Sequence, residues 1–509
     1  MTAVAAVGLL LAACSSGGAP GKAQPLKTLT IGSSNVFPPT LDPTANASQA
    51  IDEVIDYNVL QHLVQLAPNG AIVPILASSW KVSSANQVFT FTIRKRVRFS
   101  NGDALTPADV VFSLRRVFAP SSTYPYAKVF DVASVATVGS DQVQVTLASP
   151  SWEWLYDLAA YSNGVILDPR TISSLATAPV GTGPFKVAGE VTNYSVSLTR
   201  NGRYWGYLPQ VAGVTFRYFT NPNDLNAALQ SGQVQMIDNL STPQDLALFK
   251  SNSAYRVTAG LTNGKVQLTL NNAYGPLQNK LVRQAIAYAT DKAAIIKAAS
   301  GGYGIPAGSD TVPADPYYLN LSGTYPHDVA KAKALMRQAG YGSGFPLALT
   351  LPPYFYAQLA APLIVSELGA IGIRVTVSTI DFPLWISQVF EGGAFQATII
   401  DHAEGRDIGN YGTPGYYWHY AKTAQVAAEL RAANAAPTEA GWIAGYRQVL
   451  RQITADAVND WLYIIPNLTV ARKDVVGLPS TAYTESLDLA YVGLGGSIPA
   501  AARSLGFSS

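Results

Sequence analysis

Residues 266–297 constrain the fold most, because within this one segment the sequence changes from a strand pattern to a helix pattern. An extended apolar run over 266–270 stops at a pair of asparagines and at Gly275-Pro276, which favour a turn. From Val282 to Ala289 apolar residues then recur at i, i+3, i+4 and i+7, the spacing of one helix face. The segment therefore predicts a strand, a loop and an amphipathic helix.

The rest of the C-terminal half repeats this alternation. Extended apolar runs at 347–351, 373–379 and 395–401 are separated by helical patterns at 357–370 and 383–390. Strands that alternate with helices are typical of an α/β unit. Because 509 residues exceed what one hydrophobic core supports, we expect two or three compact units.

Composition excludes some classes of function. Charged residues make up 13% of the chain and the formal net charge is +2, which gives no basic excess for binding nucleic acid. Cys14 is the one cysteine, so the chain forms no internal disulfide, thiolate cluster or redox pair. We expect no cofactor.

That cysteine follows an apolar run that is too short to span a membrane and is typical of a signal peptide. The letters LAAC at 11–14 look like a bacterial lipobox, which implies cleavage before Cys14 and a lipid on its sulfur. The alternative is a free thiol in a signal remnant. No Lys or Arg precedes the apolar run, so we expect the true translation start to lie upstream.

Several other segments carry specific sequence words in a fixed order. Strict alternation over 89–94 predicts a half-buried strand, and Thr106 followed by Pro107 predicts a capped helix start. Further words are PILA at 74–77, GTGPF at 181–185, NGRYWG at 201–206 and VRQAI at 282–286. In this order they resemble extracellular solute-binding proteins of family 5, the peptide/nickel type that feeds ABC importers.

The resemblance implies a two-lobed α/β fold of the periplasmic-binding-protein type (type II, the large cluster with an extra inserted subdomain), with the ligand cleft between the lobes. It implies a hinge at Asn271 and Asn272. The expected division of the chain is a signal peptide at 1–13, a tether at 14–25, lobe I at 26–68, an inserted subdomain at 69–179, lobe I again at 180–270, lobe II at 271–472 and a return to lobe I at 473–509.

Loops that follow strands in the second lobe are the expected ligand site. Three such stretches, 353–356, 381–385 and 401–418, combine aromatic and charged side chains. The candidate ligand-binding residues are Tyr354, Tyr356, Phe382, Trp385, Asp401, His402, Glu404, Arg406, Asp407, Tyr416, Tyr417 and Trp418.

In peptide-binding members of the family an Asp in the corresponding loop pairs with the ligand's amino terminus, within a GW-x-x-D-x-x-DP pattern. This chain departs from the pattern, with Glu404 at the first acidic position if Asp407 matches the second. We expect Glu404 to hold an ammonium group and Arg406 a carboxylate or phosphate. The alternative is a solvated loop in which Arg406 pairs with Glu404 or Asp401.

The expected function is capture of an extracellular solute, a short peptide or peptide-like compound, by hinge closure and its delivery to the permease and ATPase subunits of an ABC importer. A modified sugar, an opine or a metal chelate is the alternative solute. A carboxylate-dependent hydrolase and a purely structural surface lipoprotein are alternatives of other classes. We expect no enzyme activity and no nucleic-acid partner. No HExxH spacing occurs, and we expect no metal. The protein is expected to be a monomer, lipid-anchored at Cys14 on the outer face of the cytoplasmic membrane.

Overall fold

The computed structural model describes residues 27–46, 48–83, 86–119, 122, 124 and 131–508. The predicted signal peptide, most of the tether and Cys14 lie outside these residues. Within them, no helix is both long and apolar enough to cross a membrane.

The first lobe, as we use the term, is built on a seven-stranded sheet that runs in the order β12-β19-β11-β1-β10-β9-β8. The strands are β1 (Thr28–Ser33), β8 (Phe185–Val191), β9 (Ser195–Arg200), β10 (Gly213–Tyr218), β11 (Met236–Asp238), β12 (Tyr255–Gly260) and β19 (Asn467–Arg472). β1 is parallel to β10 and β11, and the other pairs are antiparallel. The helices of this part are α1 (Gln49–Ile55), α4 (Pro222–Gln230) and α5 (Ala247–Lys250).

The second lobe is built on a six-stranded sheet in the order β14-β18-β13-β17-β15-β16. Its strands are β13 (Lys265–Leu270), β14 (Ile305–Pro306), β15 (Pro346–Leu351), β16 (Arg374–Thr379), β17 (Ala397–His402) and β18 (Asp460–Ile464). Its helices are α6 (Lys280–Ala289), α7 (Lys292–Ser300), α8 (Val329–Gln338), α9 (Phe355–Ala370), α10 (Phe382–Trp385), α11 (Thr423–Asn434) and α12 (Glu439–Ala455), with a π-helical turn at Ile386–Glu391.

A four-stranded antiparallel sheet in the order β4-β5-β7-β6 forms a third unit, which we call the subdomain. It contains β4 (Ala77–Val82), β5 (Val88–Ile93), β6 (Val132–Val138) and β7 (Gln142–Leu147), with α2 (Pro107–Phe118) and α3 (Trp154–Ala160). Two-stranded ribbons join β2 (Val64–Leu66) to β3 (Ile72–Pro74) and β20 (Val475–Val476) to β21 (Gly493–Leu494), and α13 (Ala500–Ser504) follows near the C-terminus.

Local sequence accounts for these elements where its pattern is strong. β5 alternates between buried and half-buried residues, as its sequence predicts. α2 begins with a capping box, in which Thr106 accepts a hydrogen bond from the Asp109 N–H and the Asp109 carboxylate accepts one from the Thr106 N–H. The α6 helix buries Val282, Ala285 and Ile286 against the core of the second lobe.

One predicted helix is wrong over most of its length. The pattern at 50–66 predicts one helix, but α1 ends at Ile55. Tyr57 then has a positive φ of 65°, and the chain continues through turns into β2. The Tyr57 N–H donates to the Leu60 carbonyl instead of continuing the helix, so this segment folds back on itself. Apolar periodicity alone does not reveal such a break.

The chain crosses between the two large sheets twice, at residues 261–264 and 465–466. Both crossings differ from the sequence-based division, because β13 belongs to the six-stranded sheet and β19 to the seven-stranded sheet. Asn271 and Asn272, the expected hinge, lie beyond β13 within the second lobe. Their side chains donate to the carbonyls of Phe395 and Val458. The structure therefore places the crossings away from both asparagines.

Candidate ligand-binding site

A cavity of about 600 Å³ lies between the two large sheets. The loops after β1, β11, β15 and β17 contribute to its lining, so the ends of strands from both lobes open into it. Both crossing segments also line it, through Thr262, Asn263, Gly264, Ile465 and Pro466. Any change in the angle between the lobes therefore acts directly on the walls of this cavity.

One wall of the cavity is aromatic. Tyr354 and Tyr356 stack with ring centroids 5.7 Å apart, and Phe382 packs edge-on against Tyr354 at 5.2 Å. Tyr354 and Phe355 are each about two-fifths exposed and line the cavity. Such a surface is suited to cover the apolar part of a solute, because aromatic rings offer large contact area and a polar tip.

Acidic side chains dominate the rest of the lining. Seven carboxylic acids contribute to the cavity, and no Lys, Arg or His does so among the residues that the structure describes. The acids are Asp52, Glu53, Asp56, Asp238, Asp401, Glu404 and Glu485. The cavity is therefore suited to positively charged groups and unfavourable to anions.

On the second-lobe side, Asp401 and Glu404 face the cavity close to the aromatic wall. The Asp401 N–H donates to the Tyr356 hydroxyl at 3.2 Å, whereas the Oδ1 atom of Asp401 is buried and has no hydrogen-bond partner among the described residues. Burial raises the pKa of Asp401 to about 7. An ammonium group at this position would supply the missing donor and favour the ionised carboxylate.

A buried charge cluster holds the loop that carries Glu404. Lys265 donates to the Glu404 carbonyl at 2.7 Å and lies 2.8 Å from Asp407 and 3.6 Å from Asp310. Burial alone would raise the pKa of Asp407, but the Lys265 charge and a hydrogen bond with His402 lower it to about 2. Asp407 and His402 thus support the loop from behind and do not line the cavity.

Arg406 points away from the cavity, which corrects the expectation that it binds the solute. Its guanidinium lies 3.8 Å from the centre of the Tyr156 ring, 3.6 Å from Glu153 and 3.8 Å from Asp315. The residue has a positive φ of 57°, and its side chain is only 9% exposed. The predicted internal pairs with Glu404 or Asp401 are likewise not what the structure has, because Arg406 pairs with acids of other segments.

The aromatic side chains at the end of the same loop also lie elsewhere than expected. Tyr417 and Trp418 are buried in a core with Trp385, and Tyr416 packs against that core. None of these four residues lines the cavity. Their density in the sequence reflects the packing of α11 and α12 onto the second lobe. Of the twelve predicted residues, the structure brings five to the cavity, namely Tyr354, Tyr356, Phe382, Asp401 and Glu404.

Sequence reasoning missed the acids of the first lobe. Gln49, Asp52, Glu53 and Asp56 follow the spacing i, i+3, i+4 and i+7, which places them on one face of α1 and at its end. The opposite face of α1 packs into the core of the first lobe. A polar helix face of this kind usually contacts solvent, so only the position of α1 beside the cavity shows its role.

His402, Glu404 and Asp407 bring ligand atoms within 4.8 Å of one another, a spacing compatible with a metal ion. Asp407, however, already pairs with the Lys265 ammonium at 2.8 Å. A metal ion bound there would lie beside a buried positive charge, which would weaken its binding. The expected absence of a metal stays a prediction.

Two lobes that enclose a cavity at their crossings define a protein built to close around a small molecule. A family profile described as "Bacterial extracellular solute-binding proteins, family 5 Middle" matches residues 71–403. The chain belongs to this family. Its members are extracellular or periplasmic substrate-binding components of ABC importers that work with membrane permeases, and they are transport proteins and not enzymes.

Individual relatives show how varied the ligands of the family are. The chain is 28% identical to heme-binding protein A of Haemophilus influenzae over 431 residues, 76% of this chain and 78% of the relative. It is 28% identical to di/tripeptide-binding protein 2 of Pseudomonas aeruginosa over 387 residues, 70% and 72% of the two chains. The binding protein AgaA of A. tumefaciens R10, solved with agropinic acid, is 26% identical, with a TM-score of 0.79 over 93% of this chain and 99% of the other.

Proposed function

We propose that this protein captures a short peptide or peptide-like compound through an amino group of the solute, by closure of the two lobes, and delivers it to the permease of an ABC importer. The observation that carries this proposal is the pair Asp401 and Glu404 on the second-lobe side of the cavity, beside an aromatic wall. The carboxylates would bind the ammonium group, and the rings would cover the apolar part.

The lining also bears on the alternative solutes. An opine or a metal chelate that presents carboxylates would meet no Lys, Arg or His among the described lining residues. A free peptide has one carboxylate too, and the neutral donors Asn239 and Ser241 lie in the same lining to receive it. The excess of acids therefore favours solutes with amino groups over predominantly anionic ones.

Closure follows from the position of the crossings. Contacts to both lobes form together only when the lobes approach, so the solute stabilises the closed state by its differential affinity for it. We propose the division into two lobes and an inserted subdomain as the units that move, with residues 261–264 and 465–466 as the hinge. We also propose that the mature protein is a monomer with a lipid on Cys14, anchored at the outer face of the cytoplasmic membrane.

A thermal-shift screen with matched variants tests the amine contact. Glu404→Gln and Asp401→Asn together remove both charges and keep the shape of the side chains. We expect the double variant to lose the stabilisation that amino-terminal dipeptides give the wild-type protein, by tenfold or more in affinity, as is typical when a charge-assisted contact is removed. Glu190→Gln, on an exposed strand, is the control. Equal affinity in the double variant and the wild type would contradict the proposal.

A further inference from the structure

The first-lobe wall of the cavity carries acids that the proposed amine contact does not use. Asp52 and Glu53 lie on the α1 face that lines the cavity, and both side chains are almost completely buried, with 6% and 2% exposure. Glu485, from the segment that follows β20, and Asp238, at the end of β11, lie in the same lining. These four residues form what we call the first-lobe acid cluster.

Part of the cluster has no hydrogen-bond donor. One oxygen of Glu53 accepts from the Ser33 hydroxyl at 3.1 Å and from the Asn35 amide at 3.0 Å. The other oxygen, Oε1, and the Oδ1 atom of Asp52 are buried without a partner among the described residues. A buried acceptor that lacks a donor is destabilising, so its presence beside a cavity points to a donor that arrives with the ligand.

Asp56 shows the contrast. It lies on the same face of the segment, but its carboxylate contacts the Nε2 atom of His62 at 2.8 Å, deep in the first lobe. The protein itself thus supplies a partner for Asp56, whereas no Lys, Arg or His among the described lining residues does so for the first-lobe acid cluster.

The cluster is electrostatically continuous with the acids of the second lobe. Burial, followed by the charges of Asp56 and Glu485, raises the pKa of Asp52. Burial and then Glu404 raise the pKa of Glu485 to about 8, so Glu485 lies within the field of acids from both sides of the cavity. One cation at Glu404 leaves the other end of this acidic surface without a counter-charge.

We propose that the solute carries a second cationic group, an ammonium or guanidinium, which binds between Asp52, Glu53 and Glu485 while its first amino group binds Asp401 and Glu404. This inference rests on the proposed function and narrows its substrate class to solutes with two positive charges. A short peptide with a basic side chain and a linear polyamine share this chemistry.

Isothermal titration with three probes tests the second subsite. We expect lysyl-lysine or spermidine to bind at least tenfold more tightly than alanyl-alanine, because each charge-assisted hydrogen bond in a dry site contributes strongly to affinity. Binding by lysyl-lysine alone identifies a basic peptide as the source of the cation, and binding by spermidine identifies a polyamine.

Neutral variants locate the effect. We expect Asp52→Asn with Glu53→Gln to abolish the preference for lysyl-lysine or spermidine, while Glu190→Gln keeps it. Glu53→Gln alone, which removes a single buried charge, is the second variant should the double variant fold poorly. Circular dichroism at the pH of the titration confirms that each variant is folded.

The outcomes separate this inference from the function on which it rests. Equal affinity for alanyl-alanine and the dications, or a preference that survives in the double variant, would overturn the second subsite and leave the amine contact standing. Stabilisation by Ca²⁺ or Ni²⁺ with none by the organic cations would overturn it in favour of a metal. Failure of all three probes, with Glu404→Gln indistinguishable from wild type towards a cell extract, would overturn both.

Discussion

The Nη1 atom of Arg406 lies 3.6 Å from the Oε2 atom of Glu153, and this ion pair joins the loop after β17 in the second lobe to the start of α3 in the subdomain. The same junction contains a hydrogen bond from the Tyr161 hydroxyl to the Gly405 carbonyl and the stacked rings of Trp152 and Trp442. These contacts would separate if the lobes opened, so they stabilise the closed arrangement.

The two partners of this ion pair should respond differently to substitution. Burial raises the pKa of Glu153 to about 7 even though Arg406 lowers it, so Gln is a close mimic of its protonated form. Arg406→Gln, in contrast, leaves Glu153 and Asp315 buried without a cation. We expect Arg406→Gln to lower the free energy of unfolding by about 3 kcal/mol at pH 8 and Glu153→Gln to change it little. Chemical denaturation measures both, and equal losses would contradict the assignment.

Lys265 should be essential for the loop that presents Glu404. Lys265→Met removes the cation that neutralises Asp407 and Asp310 and the donor to the Glu404 carbonyl. We expect a loss of about 3–5 kcal/mol in the free energy of unfolding, as for other broken buried pairs, together with weaker solute binding. Lys250→Met, at an exposed position outside the cluster, is the matched control. A Lys265→Met protein with unchanged stability would show that the cluster is not a structural support.

The pH dependence of stability should report the buried acids of the first lobe. Burial, with the charge of Asp238, raises the pKa of Glu53 to about 8, although Asn35 and Ser33 lower it. A carboxyl group with a raised folded-state pKa contributes stability below its unfolded pKa of 4.5, and this contribution is lost as the pH rises through about 8. We therefore expect ligand-free Glu53→Gln to match the wild type at pH 5 only after the lost proton-linked term is considered, and to gain in Tm relative to it between pH 6 and 9. A Tm difference that does not vary with pH would contradict the buried, shifted Glu53.

Metal removal should leave solute binding intact. Lys265 already provides the positive charge beside Asp407, so the group of His402, Glu404 and Asp407 has little use for a second cation. We expect dialysis against EDTA to change neither the Tm nor the affinity for dipeptides. Elemental analysis of the purified protein provides an independent readout. A stoichiometric metal whose loss abolishes binding would refute this expectation.

Much of the fold could be predicted from the sequence because its signals are local. The alternation in β5 and the cap of α2 follow from neighbouring residues, and the family words fix their order. The crossings were harder to predict, since apolar runs before Gly264 and after Pro466 do not show which sheet each strand joins. Only pairing partners decide this, and they are distant in sequence.

The site was only partly predictable for a related reason. Tyr354 and Glu404 follow strands directly, and their position at strand ends places them at the cavity. Arg406 and Trp418 follow the same strand, yet one pairs with Glu153 and the other fills a core. Charge and aromatic content do not distinguish a group that faces a ligand from one that faces another segment. The acids of α1 escaped notice because a polar helix face usually contacts water.

Native mass spectrometry of protein purified without refolding tests the central claim most directly, because a solute trapped between the lobes is released and weighed. We predict a co-purified compound that contains at least one amino group, whose mass is lost from the Asp401→Asn, Glu404→Gln double variant and kept by Glu190→Gln. A co-purified solute without an amino group, or one that the double variant retains at full occupancy, would contradict the account.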